Sequence, residues 1–174
     1  MPYIVGESIS GGSRMIFLTL GSQKFQFNRL LKEVDQLISK QIITDKVFAQ
    51  TGYSDYRPDH FEFENFLDRQ EFALMEARSD IVITHGGTGA IIGAVKSGKK
   101  VIAVPRLARF GEHVDDHQVQ LIQQFDEMKI IEACYELAHL ELAYRKVLIN
   151  EYKMYQSNTE NIIKNIDEFV QNKE

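Results

Sequence analysis

Short apolar runs alternate along the chain with stretches whose apolar residues recur every three or four positions. Residues 15–20, MIFLTL, form a continuous apolar run of strand length, and Phe27, Leu30, Leu31, Val34, Leu37 and Ile38 then follow the spacing of one helix face. KVFAQT at 46–51 predicts a second strand, and FEFENF at 61–66, which alternates strictly, predicts a short third. Asp68 and Glu71 have the spacing of a capping box, so a helix should open there and run through Arg78. DIVIT at 80–84 is the β-branched kind of run that is buried on both faces of a parallel sheet. A helix over about 88–97 stops at Gly98, a natural residue just past a helix end, and KVIAV at 100–104 follows as a strand. Asp115 or Asp116 opens another helix reaching about 128, KIIEA at 129–133 predicts the last strand, and helix in two pieces is expected from 136. In the first piece Leu137, Leu140, Tyr144, Val147 and Leu148 share a face; in the second Ile162, Ile163, Ile166, Phe169 and Val170 do. Strands alternating with helices imply right-handed crossovers, hence an α/β fold: a Rossmann-like parallel sheet with helices on both faces.

Composition narrows the chemistry. A chain of 174 residues suits one domain with a sizeable core and is short for two. The formal charge of −5 argues against a nucleic-acid partner, because binding a phosphate backbone needs a concentrated basic footprint. An anionic ligand must therefore be met locally. The lone Cys134 excludes an internal disulfide and reads as a small buried hydrophobe. No apolar run is long enough to span a membrane. Residues 1–14 lack the basic and apolar regions of a signal peptide and contain Ser-Gly-Gly-Ser, so they are expected to be an appended leader or linker. The expected organisation is then an α/β domain over 15–135 and C-terminal helices over 136–174.

The strongest local signal is IVITHGGTGAIIGAVKSGKKVIAVP at 81–105. His85 ends a central strand, and Gly86, Gly87, Thr88 and Gly89 turn into a helix whose N-terminus faces the carboxyl ends of the strands, where ligands bind on such sheets. Glycines let backbone N–H groups approach an anion, the helix dipole adds partial positive charge, and His85 can donate a further hydrogen bond. The plainer alternative is a tight turn with His85 bonded to a backbone carbonyl. Gly21-Ser22-Gln23 ends the first strand on the same edge. So does the segment 106–118, which carries Glu112, His113, Asp115, Asp116, His117 and Gln118, side chains that grip hydroxyls or ions. Metal binding through His113 and His117 and a merely solvated loop are its competing readings. Gly87, Gly89 and Gly93 also form a loose dinucleotide fingerprint, which makes an NAD(P)-binding oxidoreductase the runner-up. The acid that such a site wants at the end of the next strand is not there; the residues are Val104-Pro105-Arg106.

Taken together, the glycine turn after a strand, the helix ending Lys96-Ser97-Gly98-Lys99-Lys100, the strand ending at Pro105, and then Asp116-His117-Gln118 resemble the C-terminal, nucleotide-sugar-binding half of family 28 glycosyltransferases, which have the GT-B fold. Thr19-Leu20-Gly21-Ser22 with Phe27 and Asn28 extend the resemblance. It is closest to the split kind, in which this half is a separate polypeptide, as in the eukaryotic dolichol-linked UDP-GlcNAc transferase and in bacterial capsule and exopolysaccharide transferases. The resemblance implies a UDP-sugar donor, an inverting transfer of a hexose-type sugar to a lipid-linked glycan acceptor, and neither a resident cofactor nor an obligatory metal. It also implies a membrane-associated, acceptor-binding partner subunit that recruits a cytoplasmic chain to the inner face of the membrane. By the same resemblance, His85 and the amides of Gly86, Gly87, Thr88 and Gly89 contact the donor diphosphate together with Gly21 and Ser22. Asp116, His117 and Gln118 are matched to the part that reads donor-sugar hydroxyls. Where many relatives carry a ribose-binding glutamate this chain has Gly93, so either another acidic side chain takes that role, with Glu112 a candidate, or the ribose is held less tightly. A general base comes either from the partner or, locally, from His113 or Asp115. A non-catalytic, sugar-nucleotide-binding subunit is the remaining alternative.

Overall fold

A computed structural model describes residues 13–157. The expected leader lies outside the described residues except for Ser13 and Arg14, and the second C-terminal stripe, from Ile162 onward, lies outside them entirely.

Six parallel strands form one sheet: β1 (Met15–Thr19), β2 (Lys46–Gln50), β3 (Glu62–Glu64), β4 (Ile81–His85), β5 (Lys100–Val104) and β6 (Glu132–Ala133). Their order, β3-β2-β1-β4-β5-β6, reverses direction between β1 and β4. The connections are α1 (Asn28–Ser39), α2 (Arg69–Arg78), α3 (Thr88–Lys96) and α4 (His117–Glu127), and α5 (Leu140–Ile149) follows β6. Alternation along each strand sends side chains to two cores. Ile16, Leu18, Ile81 and Ile83 face α1 and α5, while Phe17, Val82, Val101 and Ala103 face α3 and α4. All five residues of β4 are buried, which is why the run reads as continuously apolar rather than alternating. The stripe on α1 buries Leu30, Leu31, Val34 and Leu37. Each such residue contributes roughly 1.5–3 kcal/mol, and a charge at Val34 would break the contact.

The capping box forms as spaced: Asp68 accepts from the N–H groups of Gln70 and Glu71, and Glu71 accepts from that of Asp68. The last strand is shorter than expected. Lys129 takes a left-handed φ of +58° and closes α4, and the N–H groups of Lys129 and Ile130 donate back to Asp126 and Phe125. Residues 129–131 are thereby spent on a helix end, and pairing with β5 begins only at Glu132.

Candidate functional site

The reversal of strand order leaves a crevice between the carboxyl ends of β1 and β4, the usual ligand position on an open α/β sheet. A cavity of about 400 Å³ opens there, lined by Thr19, Gly21 and Ser22 from β1 and its loop and by Gly89 and Ala90 from α3. Gln50, Leu67 and Phe72 wall its far side. Another cavity, of about 290 Å³, lies at the opposite edge beside Arg14, Asp80 and Lys99. The ammonium of Lys99 there is tied to the carbonyl of Ala77, and the glycine turn is at the other end of the strands, so the crevice is the chemically competent opening.

Two helices start at the crevice with opposite chemistry. The N-terminus of α2 is already satisfied by its own carboxylates, Asp68 and Glu71. In α3 the N-cap is Gly87, which offers no side chain, and the N–H groups of Thr88, Gly89 and Ala90 have no partner among the described residues. An uncapped helix start beside a cavity is a ready receptor for an anion.

His85 lies just below this turn, 8% exposed. Its Nδ1 accepts from the N–H of Gly87 at 3.1 Å and faces the amide nitrogen of Gln118 at 3.3 Å. The Oε1 of Gln118 accepts from the N–H groups of Gly86 and Arg106, each at 3.0 Å, which fixes the carboxamide with its NH₂ toward the imidazole. With Nδ1 accepting, the proton of the neutral ring sits on Nε2. Burial, reinforced by the Arg106 guanidinium, pushes the His85 pKa down to about 4, so the ring is neutral at pH 7.

The glycines have separate reasons. A Cβ at Gly87 would stand 2.3 Å from His85 Cε1, and one at Gly21, which has a φ of +72°, would stand 2.7 Å from Nε2. A Cβ at Gly86 would meet Gln118 Cβ at 2.6 Å. These three make room for protein side chains. A Cβ at Gly89 would meet nothing within 4 Å, so that glycine opens onto the cavity.

The loop after β5 divides into framework and surface. Glu112 is buried and grips Arg29 through both oxygens, at 2.6 and 3.0 Å, while also accepting from the N–H of Leu107. Its carboxylate is thus already occupied by protein donors. Asp116 accepts from the N–H of Ala108, and Gln118 braces the glycine turn as described. His113 stacks on Phe25 with ring centroids 5.2 Å apart and places Nδ1 3.3 Å from Asp115 Oδ1. Asp115 is exposed and also accepts from the N–H of His117, which holds its pKa below the usual carboxylate value. His117 is exposed at the first position of α4. No group of three His, Cys, Asp or Glu side chains among the described residues is arranged to hold a metal ion.

Sequence reasoning missed two parts of the site. Thr19, Gln50, Leu67 and Phe72 line the cavity, but their pattern reads only as strand ends and a helix start, and nothing local marks them as a wall. Arg106 reads as the absence of an acid; the structure buries it at the centre of the loop framework.

Residues 15–172 match the glycosyltransferase family 28 C-terminal domain. A stretch of 71 residues is 31% identical to the UDP-N-acetylglucosamine transferase subunit ALG13 of Kluyveromyces lactis, covering 41% of this chain and 32% of that protein. The solution structure of ALG13 superposes with a TM-score of 0.58 at 16% identity, covering 83% of this chain and 90% of that one. MurG of Acinetobacter baumannii superposes with a TM-score of 0.56 at 15% identity, covering 80% of this chain and 42% of that one. The glycosyltransferase SnogD of Streptomyces nogalater gives 0.56 at 20% identity, with 86% and 40% covered. At these identities the solved structures share the fold. The chain spans about a third of the Kluyveromyces relative and under half of MurG and SnogD.

Proposed function

This chain belongs to the glycosyltransferase family 28 C-terminal domain family, and on that premise we propose that it is the donor-binding half of a two-component, inverting glycosyltransferase. The donor is a UDP-sugar carrying a hexose-type sugar. The acceptor is a lipid-linked glycan in capsule or exopolysaccharide synthesis, presented by a membrane-associated partner that holds this chain at the cytoplasmic face.

One observation carries the reading: the uncapped start of α3, with Gly89 open to the cavity between β1 and β4. Cleaving an anomeric C–O bond to a nucleoside diphosphate builds negative charge on the leaving phosphate. Fixed N–H dipoles aimed at that phosphate stabilise the charge in the manner of an oxyanion hole. Thr88, Gly89 and Ala90 supply such N–H groups, and Gly21 and Ser22 line the same cavity. His85 adds a neutral Nε2–H donor. The wall of Leu67 and Phe72 suits the apolar faces of a nucleoside. His113, oriented by Asp115, is the local general base, and Asp116 and His117 are the side for the donor sugar, with Gln118 bracing the glycine turn behind them.

The partner is supported by the carboxyl edge of the sheet. Tyr53 and Phe66, stacked edge to face, and Phe110 and Val114 are exposed in the connections that leave this edge. A second half closing over the crevice would bury them and supply the acceptor.

Calorimetry with UDP, UDP-sugars, NAD and NADP in parallel tests the donor. UDP and at least one UDP-sugar should bind and raise the melting temperature, by about 2.7 kcal/mol of stabilisation at a hundredfold excess over Kd. Binding of NAD or NADP without UDP would overturn the reading in favour of an oxidoreductase. Transfer should survive a chelator, and rescue by a divalent ion after chelation would restore the metal reading of residues 112–117.

A further inference from the structure

Arg106 is 1% exposed, and its guanidinium makes no direct contact with a carboxylate among the described residues. Nη1 donates to the carbonyls of Phe25, Gln26 and Glu112, at 2.9, 3.2 and 3.3 Å, and Nη2 donates to the carbonyl of Leu20. The Phe27 ring lies 5.3 Å beneath. Nε is buried without a partner among the described residues. The nearby Glu112 carboxylate is held by Arg29. Arg29, Glu112 and Arg106 together therefore place a net single positive charge beneath the crevice.

Burying such a cation is costly, and an apolar residue of similar volume often serves stability as well or better. Its contacts are nonetheless specific, because three of the four carbonyls belong to the loop that carries Gly21 and Ser22. A trans peptide is planar, so its C=O and N–H point in opposite directions. With the carbonyl of Leu20 drawn to Arg106 on the α1 side of the sheet, the N–H of Gly21 turns to the other side. There it donates to the hydroxyl oxygen of Thr19 at 3.5 Å, at the wall of the cavity. The main-chain N–H of Arg106 shares Gln118 Oε1 with that of Gly86. One residue thus ties together the loop after β1, the glycine turn and the loop after β5.

We propose that Arg106 is a positioning residue for the donor diphosphate: by holding the carbonyls of Leu20, Phe25 and Gln26 inward, it aims the Gly21 N–H into the cavity and sets a buried positive charge behind it. This rests on the nucleotide-sugar reading above. Any ligand with a diphosphate would feel both effects, and neither requires Arg106 to touch it.

The test is a titration of UDP into the ¹⁵N-labelled full chain, following the Gly21 amide and the Arg106 side-chain resonances. In the unaltered protein both should shift with one common affinity. Arg106→Lys keeps the charge but cannot span the carbonyls, and it should weaken UDP binding about tenfold and abolish the Gly21 shift. Arg106→Met removes charge and clamp together and should bind more weakly still, even if it melts no lower than the parent. Arg109→Met, at an exposed cation of the same loop, should bind as the parent does. UDP affinities within about twofold of the parent in both Arg106 variants, with the Gly21 shift intact, overturn the proposal. If neither variant folds, the parent decides: saturation with UDP that leaves the Arg106 side chain and the Gly21 amide unmoved overturns it equally. A parent that binds no UDP refutes the nucleotide-sugar reading instead, so the two failures are distinguishable.

Discussion

The His85 ring is held at Nδ1, where the Gly87 N–H donates and the Gln118 amide faces the same nitrogen, while the absence of a Cβ at Gly21 leaves space at Nε2. A neutral histidine whose pKa falls from the ordinary 6.5 to about 4 has a definite linkage to stability. Between those pH values the unfolded chain takes up a proton that the native state refuses. Stability present above pH 6.5 is therefore lost as pH falls toward 4, on the order of 3 kcal/mol in full. Melting curves from pH 7 to pH 4 should show a shallower decline for His85→Gln than for the parent, and parallel curves would contradict the buried, neutral ring. His85→Ala should weaken UDP about tenfold by removing the Nε2–H donor, and an unchanged affinity would remove His85 from the diphosphate site. The sequence marks Gln118 as a candidate ligand-reading side chain, but local spacing does not show that two N–H groups from distant segments converge on its oxygen. Gln118→Ala leaves both buried donors unpaired, which costs about 1–3 kcal/mol for each. It should then weaken UDP as much as a UDP-sugar; selective loss of the UDP-sugar alone would return Gln118 to the sugar-reading role.

Among the elements, the ends of α2 and α3 carry the functional contrast, and their starts were legible for a physical reason. A capping box and a glycine turn are local in sequence and fix backbone geometry without help from the rest of the chain. The strands were legible because burial on both faces writes a continuous apolar run, as in β4. The cavity wall was not legible, because Gln50 and Phe72 meet Gly21 only through the order of strands in the sheet. β6 was overread because the apolar pair Ile130 and Ile131 is buried by the closing turn of α4 rather than by a ladder. The purpose of the glycines was legible only in part. Gly87 looks like a ligand glycine, yet any side chain there strikes His85 first, whereas Gly89 faces open space. The two positions therefore separate fold from binding. Gly89→Ala fits the helix and should stabilise the fold by about 0.5–1 kcal/mol while weakening UDP, because the new methyl group occupies the approach to the α3 amides. Unimpaired UDP binding in that variant would mean that the ligand does not approach α3 there. Gly87→Ala should lower stability and binding together.

At the scale of the whole molecule, the chain beyond α5 determines how far the domain can be cut back. Residues 150–157 run along the β6 edge of the sheet: the N–H of Lys153 donates to the carbonyl of Lys129 at 2.9 Å, and the Tyr152 hydroxyl donates to Glu132 at 2.8 Å. Tyr152 packs on the core shared with α1 and α5, whereas Tyr155 packs on the core shared with α3 and α4 and lies 5.5 Å from the Lys96 ammonium. This strap anchors the chain to both layers as far as Tyr155. The stripe of Ile162, Ile163, Ile166, Phe169 and Val170 follows it in sequence, outside the described residues. If that stripe packed on this domain, removing it would forfeit the burial of five large apolar side chains, each worth roughly 1.5–3 kcal/mol, and uncover the surface beneath them, and the melting temperature would collapse. If it docks on the acceptor-binding partner, the domain alone should hardly notice. We expect the second outcome. Deletion of residues 158–174 keeps the contacts of Tyr152, Lys153 and Tyr155, so UDP affinity and melting temperature should stay near those of the full chain. Association with a membrane-bound partner should be lost, and with it transfer to a lipid-linked acceptor. Co-purification of the shortened chain with that partner at undiminished yield would place the contact elsewhere, with the exposed rim of Tyr53, Phe66, Phe110 and Val114 as the surface left to carry it.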